Sequence, residues 1–556
     1  MTRTTGFMLA FLFILMYTGA ANSNVGNQQH NTPGINAKNY STHEQMGQRI
    51  QQLTEDHPGW IQQQSLAKTK GGKDLWVITL GKGDTKSRPA IALVANTEGD
   101  HLLGTEMALQ FAENILSRSA DKQIANLMDS VTFYIFPDLN PDSREQYFAS
   151  LRYERQGNAN PTDLDRDGKT GEDAPNDMNN DGLITLMRIE DPAGDWITHP
   201  DDNRIMIEAK PGKGERGKYQ VFNEGRDDDL DGKFNEDGEQ GVMISKNFSY
   251  KYPAFSRGAG YHAFSETETK ALADFLFDAK NVFAVVSFSP ANNLSQPLKS
   301  DKKKASARIQ SSWSEKDVKI NKRISHLYKK HLKDQLPEAS AGSDGDIFQW
   351  AYYHYGRFSF STPVWEAPLP EKKEENQNPS SEINFLKWAE ENQWQNVFVP
   401  WTTIEHPGFP GKKVEVGGLV PFALQNPPLH LIDSVFIRHT GFMLDLASLR
   451  PQTDILNLKT EKLNKDLFRI TADIANIGDF PTTSQIGEKI RWVQKTVVTF
   501  ETGEKQKIVS GKPLEIMETI DAHQSVERSW LIQGNGTIFL KAGSESTGFK
   551  EISIDL

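Results

Sequence analysis

Glu98 and His101 are ligand-type side chains three residues apart in "NTEGDHLLGTEMAL", directly after the apolar run "IALVA", where a strand should end and a binding loop begin. A carboxylate and an imidazole on one loop supply part of the donor set that holds a catalytic zinc ion. An isolated Glu-x-x-His is more often two polar residues sharing an exposed loop. Its meaning therefore depends on the rest of the chain.

A second set of oxygen donors lies in an acidic insert over residues 160–240. "DLDRDGKTGED" carries Asp163, Asp165, Asp167, Glu172 and Asp173, and "DDDLDGKFNED" carries Asp227, Asp229, Asp231, Glu236 and Asp237 in the same register. Between them, "DMNNDGLITL" repeats the opening with Asp177, Asn179 and Asp181 before Gly182. Alternate carboxylates around a turn that Gly permits converge on one point, which suits a hard cation with roughly six to eight oxygen ligands, so structural Ca2+ is expected here. Position twelve is Ala174 or Gly238 instead of Glu, which sets these loops apart from a helix-flanked EF-hand. An acidic, ion-free loop is the plainer alternative.

The elements that must position these groups follow from periodicity. "STHEQMGQRIQQL" places Met46, Ile50 and Leu53 on one helical face, with Ser41 and Glu44 at capping-box spacing. Strand-like runs "DLWVITLG", "AIALVAN" and "SVTFYIF" alternate with the helical "LLGTEMALQFAENIL", which predicts an α/β sheet with parallel pairing. Ser265 and Glu268 mark a further capping box, "NVFAVVSFSP" a buried strand, and the basic region 301–335 a solvated surface helix. From residue 451 onward, short alternating strands with turn signals predict an all-β sandwich.

The 556 residues exceed the size at which a single core stops growing, so more than one domain is expected. A net charge of −12 argues against a nucleic-acid partner. The chain has no Cys, which removes disulfides and thiolate chemistry. Arg3, the apolar stretch from Phe7 to Tyr17 and the small residues Gly19, Ala20 and Ala21 read as a signal peptide over 1–21. A flexible leader over 22–39 follows. A periplasmic or secreted protein without stable membrane insertion is expected.

The order of these pieces resembles the secreted zinc carboxypeptidases of the carboxypeptidase A family. The landmarks are "FPDLNPDS", "GVMISKNFSY", "FSETETKALADFL" and "QWAYYHYGRFSFSTPVW". The resemblance implies zinc held by a His-x-x-Glu after a strand and by a later His. Glu98 and His101 occupy the first two places in exchanged order, and Ser289 takes the third. The general-base Glu falls at Pro363, with Glu366 three residues on. The resemblance also implies that Arg155 polarises the scissile carbonyl and that Tyr352 covers the substrate. Lys246 and Ser245 stand where an Arg and an Asn grip the C-terminal carboxylate. Lys keeps the charge but loses the planar fork.

Together these readings predict a carboxypeptidase A-like mixed sheet flanked by helices over 40–400 with the calcium-loop insert, a connecting segment over 401–450 and a β-sandwich over 451–556. A neutral Ser is a poor zinc ligand and Pro cannot act as a base. The expected function is thus a cleft for peptide or protein C-termini with hydrolysis lost or altered. One alternative is an active zinc carboxypeptidase in which Glu98 and His101 hold metal and Glu366 is the base. Another is a calcium-stapled extracellular binding or scaffold protein whose sandwich meets an unknown partner.

Overall fold

A computed structural model describes residues 40–162, 174–228, 232, 234, 241–333, 335–368 and 380–556. The expected signal peptide and leader, the first calcium loop from Asp163 to Asp173, and Asp229, Asp231, Glu236 and Asp237 lie outside the described residues. No described helix is long and apolar enough to cross a membrane.

Before residue 420 the described strands are β1 (Ile61–Lys68), β2 (Asp74–Leu80), β3 (Ala90–Ala95), β4 (Thr132–Phe136), β5 (Leu186–Glu190), β6 (Trp196–Thr198), β7 (Met206–Glu208), β8 (Tyr219–Asn223), β9 (Val282–Phe288), β10 (Phe358–Thr362), β11 (Phe398–Ile404) and β12 (Val414–Leu419). The first sheet has the order β1-β2-β4-β3-β9-β10. Its β4, β3, β9 and β10 run parallel, and β1 and β2 are antiparallel additions at one edge. This is the mixed sheet expected of the carboxypeptidase A-like fold.

β3 and β9 are buried at every position, as near-continuous apolar runs must be when helices cover both faces. Period-two alternation divides them: Ile91, Leu93, Ala95, Val286 and Phe288 enter one core, and Ala90, Ala92, Val94, Val282 and Val285 the other. The helix Leu102–Ser117 packs into the first core and Thr267–Asp278 into the second.

The acidic insert is more than loops. Its strands β5–β8 join β11 and β12 in a second antiparallel sheet of order β11-β12-β5-β8-β6-β7. The connecting segment, where the apolar run "LIDSVFIRHTGFMLDLASL" reads as the helix found at Asp433–Ser448, therefore also contributes two strands. Sequence adjacency gave no hint of this, because β12 and β5 pair across more than two hundred residues.

Three local expectations shift. The first helix, His43–Asp56, starts one residue later than the expected box, with Thr42 and Gln45 instead of Ser41 and Glu44 completing the capping pair. The helix Thr267–Asp278 begins at Glu266 without a side-chain cap; Ser265 Oγ donates to Glu266 Oε1 instead. Within the basic region, Glu315–Leu332 buries Val318, Ile324, Tyr328 and Leu332, so only one face of it is solvated.

Residues 453–555 form two four-stranded antiparallel sheets that share one apolar cluster including Ile470, Phe500, Trp530 and Leu540. This region is firmly joined to the first. Phe480 packs on Phe283, Phe358 and Phe360, and Ser484 Oγ donates to the Gly356 carbonyl at 2.9 Å.

Candidate functional site

The loop after β3 is built by unusual backbone. Asn96 has φ 56° and its side-chain amide donates to Asp138 Oδ1 at 2.6 Å. Gly99 has φ 79°, and a Cβ there would collide with Ser143 Oγ. These turns bring His101 to the start of the helix Leu102–Ser117, where its own side chain caps nothing. The cap comes from Asn426, whose Oδ1 accepts from Leu103 N at 3.0 Å while its amide donates to the Asp100 carbonyl at 2.8 Å. No short-range motif announces a cap supplied from 323 residues away.

His101 is 1% exposed. Its Nε2 lies 2.9 Å from the Pro363 carbonyl, which can only accept, so Nε2 carries the proton and Nδ1 keeps the lone pair. Nδ1 has no hydrogen-bond partner. Burial lowers the imidazole's pKa, with the Pro363 and Phe288 carbonyls pulling the other way, so the ring is held neutral. Glu98 accepts from the Thr97 hydroxyl at 2.7 Å. Burial pushes its carboxyl up to about 8 against that hydrogen bond, and Asp100 and Asp346 add repulsion. Asp100 is itself raised to about 7 by burial and by Glu154, and its Oδ1 is buried without a partner.

A cavity of about 180 Å³ opens beside His101, lined also by Pro363, Trp365, Glu366, Asn384 and Leu424. Glu366 thus shares the cavity with His101, as a base would need to. Its Oε2 accepts from Glu338 N at 2.5 Å, and burial raises its pKa. Ser289 does not reach this group in the described contacts. Just past the end of β9, its Oγ pairs with Ser361 Oγ at 3.0 Å, and Ser287 Oγ meets the same hydroxyl at 2.8 Å.

The three expected ligand places therefore offer one imidazole lone pair and one carboxyl. Among the described residues, no group of three or more His, Asp or Glu side chains is placed to hold a metal ion. This donor set does not fit a catalytic zinc site, which takes two imidazoles or their equivalents, a carboxylate and an open position.

The substrate-side residues are dispersed. Arg155 directs Nε to the Gly157 carbonyl at 3.0 Å and Nη2 to the Asn158 carbonyl at 2.6 Å, and it lines a separate recess with Lys73, Asp142 and Glu145. Tyr352, expected to move over substrate, is 1% exposed and stacked on Trp313 at 4.0 Å. Its hydroxyl donates to Asp317 Oδ2 at 2.7 Å, and Asp317 in turn accepts from Gln485 N at 3.0 Å, so Tyr352 belongs to the joint with the C-terminal sheets. Lys246 Nζ donates to the Arg257 carbonyl at 3.2 Å, and neither it nor Ser245 lines the His101 cavity. His262, His354 and His406 bond to Ala263 O, Ser249 Oγ and Gly225 O, away from His101.

The described acidic loop closes on itself. Asp177 accepts from Gly182 N at 2.8 Å and Asn179 from Asp181 N at 3.0 Å, and Gly182 has φ 82°. Asp227 and Gly232 repeat the first contact at 3.1 Å, so the register read from sequence recurs in space. Glu224, which no motif pointed out, is fully buried against this loop and accepts from Met178 N and Thr185 N. Burial raises its carboxyl to about 7, and Asp177 and Asp181 add repulsion.

Comparison with known proteins gives these positions a lineage. Residues 46–181 match the family model described as "Zinc carboxypeptidase", and residues 452–555 match one described as "Domain of unknown function". Mouse Carboxypeptidase M is 29% identical over 24% of this chain and 32% of its own length. Carboxypeptidase E of Caenorhabditis elegans is 28% identical over 23% of this chain and 29% of its own. The chain thus spans about a third of the curated relatives it matches. The solved structure of thrombin activatable fibrinolysis inhibitor aligns with a TM-score of 0.40 at 12% identity over 74% of each chain. Over residues 46–181 the chain is thus similar to the carboxypeptidase A-like metallocarboxypeptidases.

Proposed function

We propose that the His101 cavity binds peptide or protein C-termini and that hydrolysis there is lost or altered. The observation that supports this most is His101 itself: one imidazole, with Nε2 committed to the Pro363 carbonyl, stands where a pair of imidazoles and a nearby carboxylate base would be needed. Metal analysis of the full chain together with retention on a peptide library tests it. Less than about one-tenth zinc per chain with retention that requires a free C-terminus is expected. One zinc per chain, lost together with peptidase activity in Glu98→Ala/His101→Ala, would overturn it.

That second outcome is the reading in which the protein is an active carboxypeptidase. Glu366, on the cavity wall beside His101, is the observation that favours it, because a carboxyl there is in place to take a proton from water.

The acidic insert is proposed to carry structural Ca2+. Inward-facing Asp177 and Asp181 and the buried Glu224 repel one another, and a divalent cation would relieve them. A chelator should lower the melting temperature; an unchanged value sinks the calcium reading. The segment 1–21 supports a periplasmic or secreted location.

A further inference from the structure

A second recess lies against the His101 cavity, sharing Leu424 with it, and is walled largely by the insert sheet. Trp401 and Phe398 from β11, Met206 from β7 and Ile184 supply apolar surface. Its volume of about 270 Å³ is just under the range of roughly 300–1,000 Å³ typical of drug-sized ligands, so it suits one side chain or a small molecule.

The charges on this wall are unequal in their commitments. Arg204 is occupied: it holds Asp202 Oδ2 at 2.6 Å and Glu390 Oε1 at 2.8 Å, and lies over the Phe398 ring. Glu154 and Glu382 face the same recess without a cation. Glu154 Oε1 accepts only from the Phe422 backbone N at 3.0 Å, and Glu382 Oε2 accepts from the Ser380 hydroxyl at 2.6 Å. No described Lys, Arg or His side chain forms an ion pair with either carboxylate. Arg188, 4.2 Å from the Trp401 ring centre, is committed likewise, to Glu415 Oε2 at 2.8 Å.

We propose that this recess is a binding site for a primary amine on a short aromatic or aliphatic stem. The stem lies on Trp401, Phe398 and Met206, and the ammonium sits between Glu154 and Glu382. Two carboxyl groups without a cationic partner at the edge of an apolar wall reward a ligand that brings both a positive charge and an apolar body. The site depends on neither metal nor hydrolysis at His101.

Isothermal titration of the full chain with phenethylamine, and with 2-phenylethanol as its neutral counterpart of like size, tests the proposal. The amine is expected to bind at millimolar or tighter Kd and the alcohol about tenfold more weakly. Glu154→Gln/Glu382→Gln should abolish that difference, since each Gln keeps an acceptor oxygen for its existing hydrogen bond. His101→Ala should leave it in place, which separates this site from the C-terminus-binding one. Should the double variant fail to fold, Glu382→Gln alone, in the first turn of the helix Ser381–Glu391, is expected to weaken the amine about threefold. Equal binding of amine and alcohol, amine binding that survives both variants, or no binding of either probe would overturn the assignment.

Discussion

The loop after β3 and the helix Ile347–Tyr353 flank the same sheet and differ in how far their polar atoms are committed. In the loop, Asp100 Oδ1 and His101 Nδ1 are buried without hydrogen-bond partners. In the helix, Asp346 caps the first turn through Gln349 N, and Tyr352 completes a chain through Asp317 to Gln485. Buried polar atoms left without partners cost free energy, so a fold retains them chiefly where something else is to be met. On the proposed function the loop meets the ligand, whereas the helix is a joint that ties the first sheet to the C-terminal sheets.

The strongest way to break this contrast is Asp317→Ala. Asp317 is 1% exposed and serves Tyr352 and Gln485 together. Removing it strands a hydroxyl and a backbone N–H in the interface, which costs about 2–4 kcal/mol. Urea unfolding should show the loss, with a biphasic transition if the C-terminal sheets detach first. A cost below about 1 kcal/mol would mean that the joint lies elsewhere, for instance in the Phe480 cluster.

A smaller effect is expected from pH. Glu98 is raised to about 8, and Asp100, Glu224, Glu268 and Asp346 to about 7, in each case by burial first. For a carboxyl whose folded pKa exceeds its unfolded value of about 4, the folded state binds the extra proton between those values, so stability falls as pH rises through the window. The depressed carboxyls, such as Asp202 and Asp479, lose their contribution only as pH falls toward about 4, and the buried His101 and His439, lowered by burial, oppose the trend only below about 6.5. Melting at pH 8 should therefore come at a lower temperature than at pH 5.5. A higher melting temperature at pH 8 would indicate cations bound among these carboxyls, and repeating the scan with chelator would show whether the acidic insert holds them.

What the sequence made legible divides along the same line. β3 and β9 could be read because strands buried on both faces are apolar throughout, and the Asp177 turn because Gly182 stands where φ must be positive. Glu98 and His101 were equally visible as a pair, since both lie on one short loop. Asn426 as the distant cap, Glu224 behind the acidic loop and the pairing of β5 with β12 depend on tertiary approach and leave no local pattern. Tyr352 shows the opposite limit. Its place in a motif suggested a mobile substrate residue, yet it is stacked on Trp313 and bonded to Asp317, which come from a segment that the motif does not contain.

The smallest expected effect sharpens where the open region ends. Lys246 is half-buried, and its Nζ reaches only the Arg257 carbonyl among the contacts described, while burial and the nearby Arg257 lower its pKa. Lys246→Ala should change stability by no more than about 0.5 kcal/mol, as for substitutions away from packed or networked sites. If the carboxylate grip stayed at this position despite the loss of the planar fork, retention of peptides with a free C-terminus should fall by more than about tenfold. Because Lys246 lines none of the cavity at His101, a change below about threefold is expected, read by the same peptide retention assay. A tenfold loss would extend the open region from the β3 loop to the turn at Ile244–Lys246 and place the ligand's carboxylate there, beyond the reach of His101 alone.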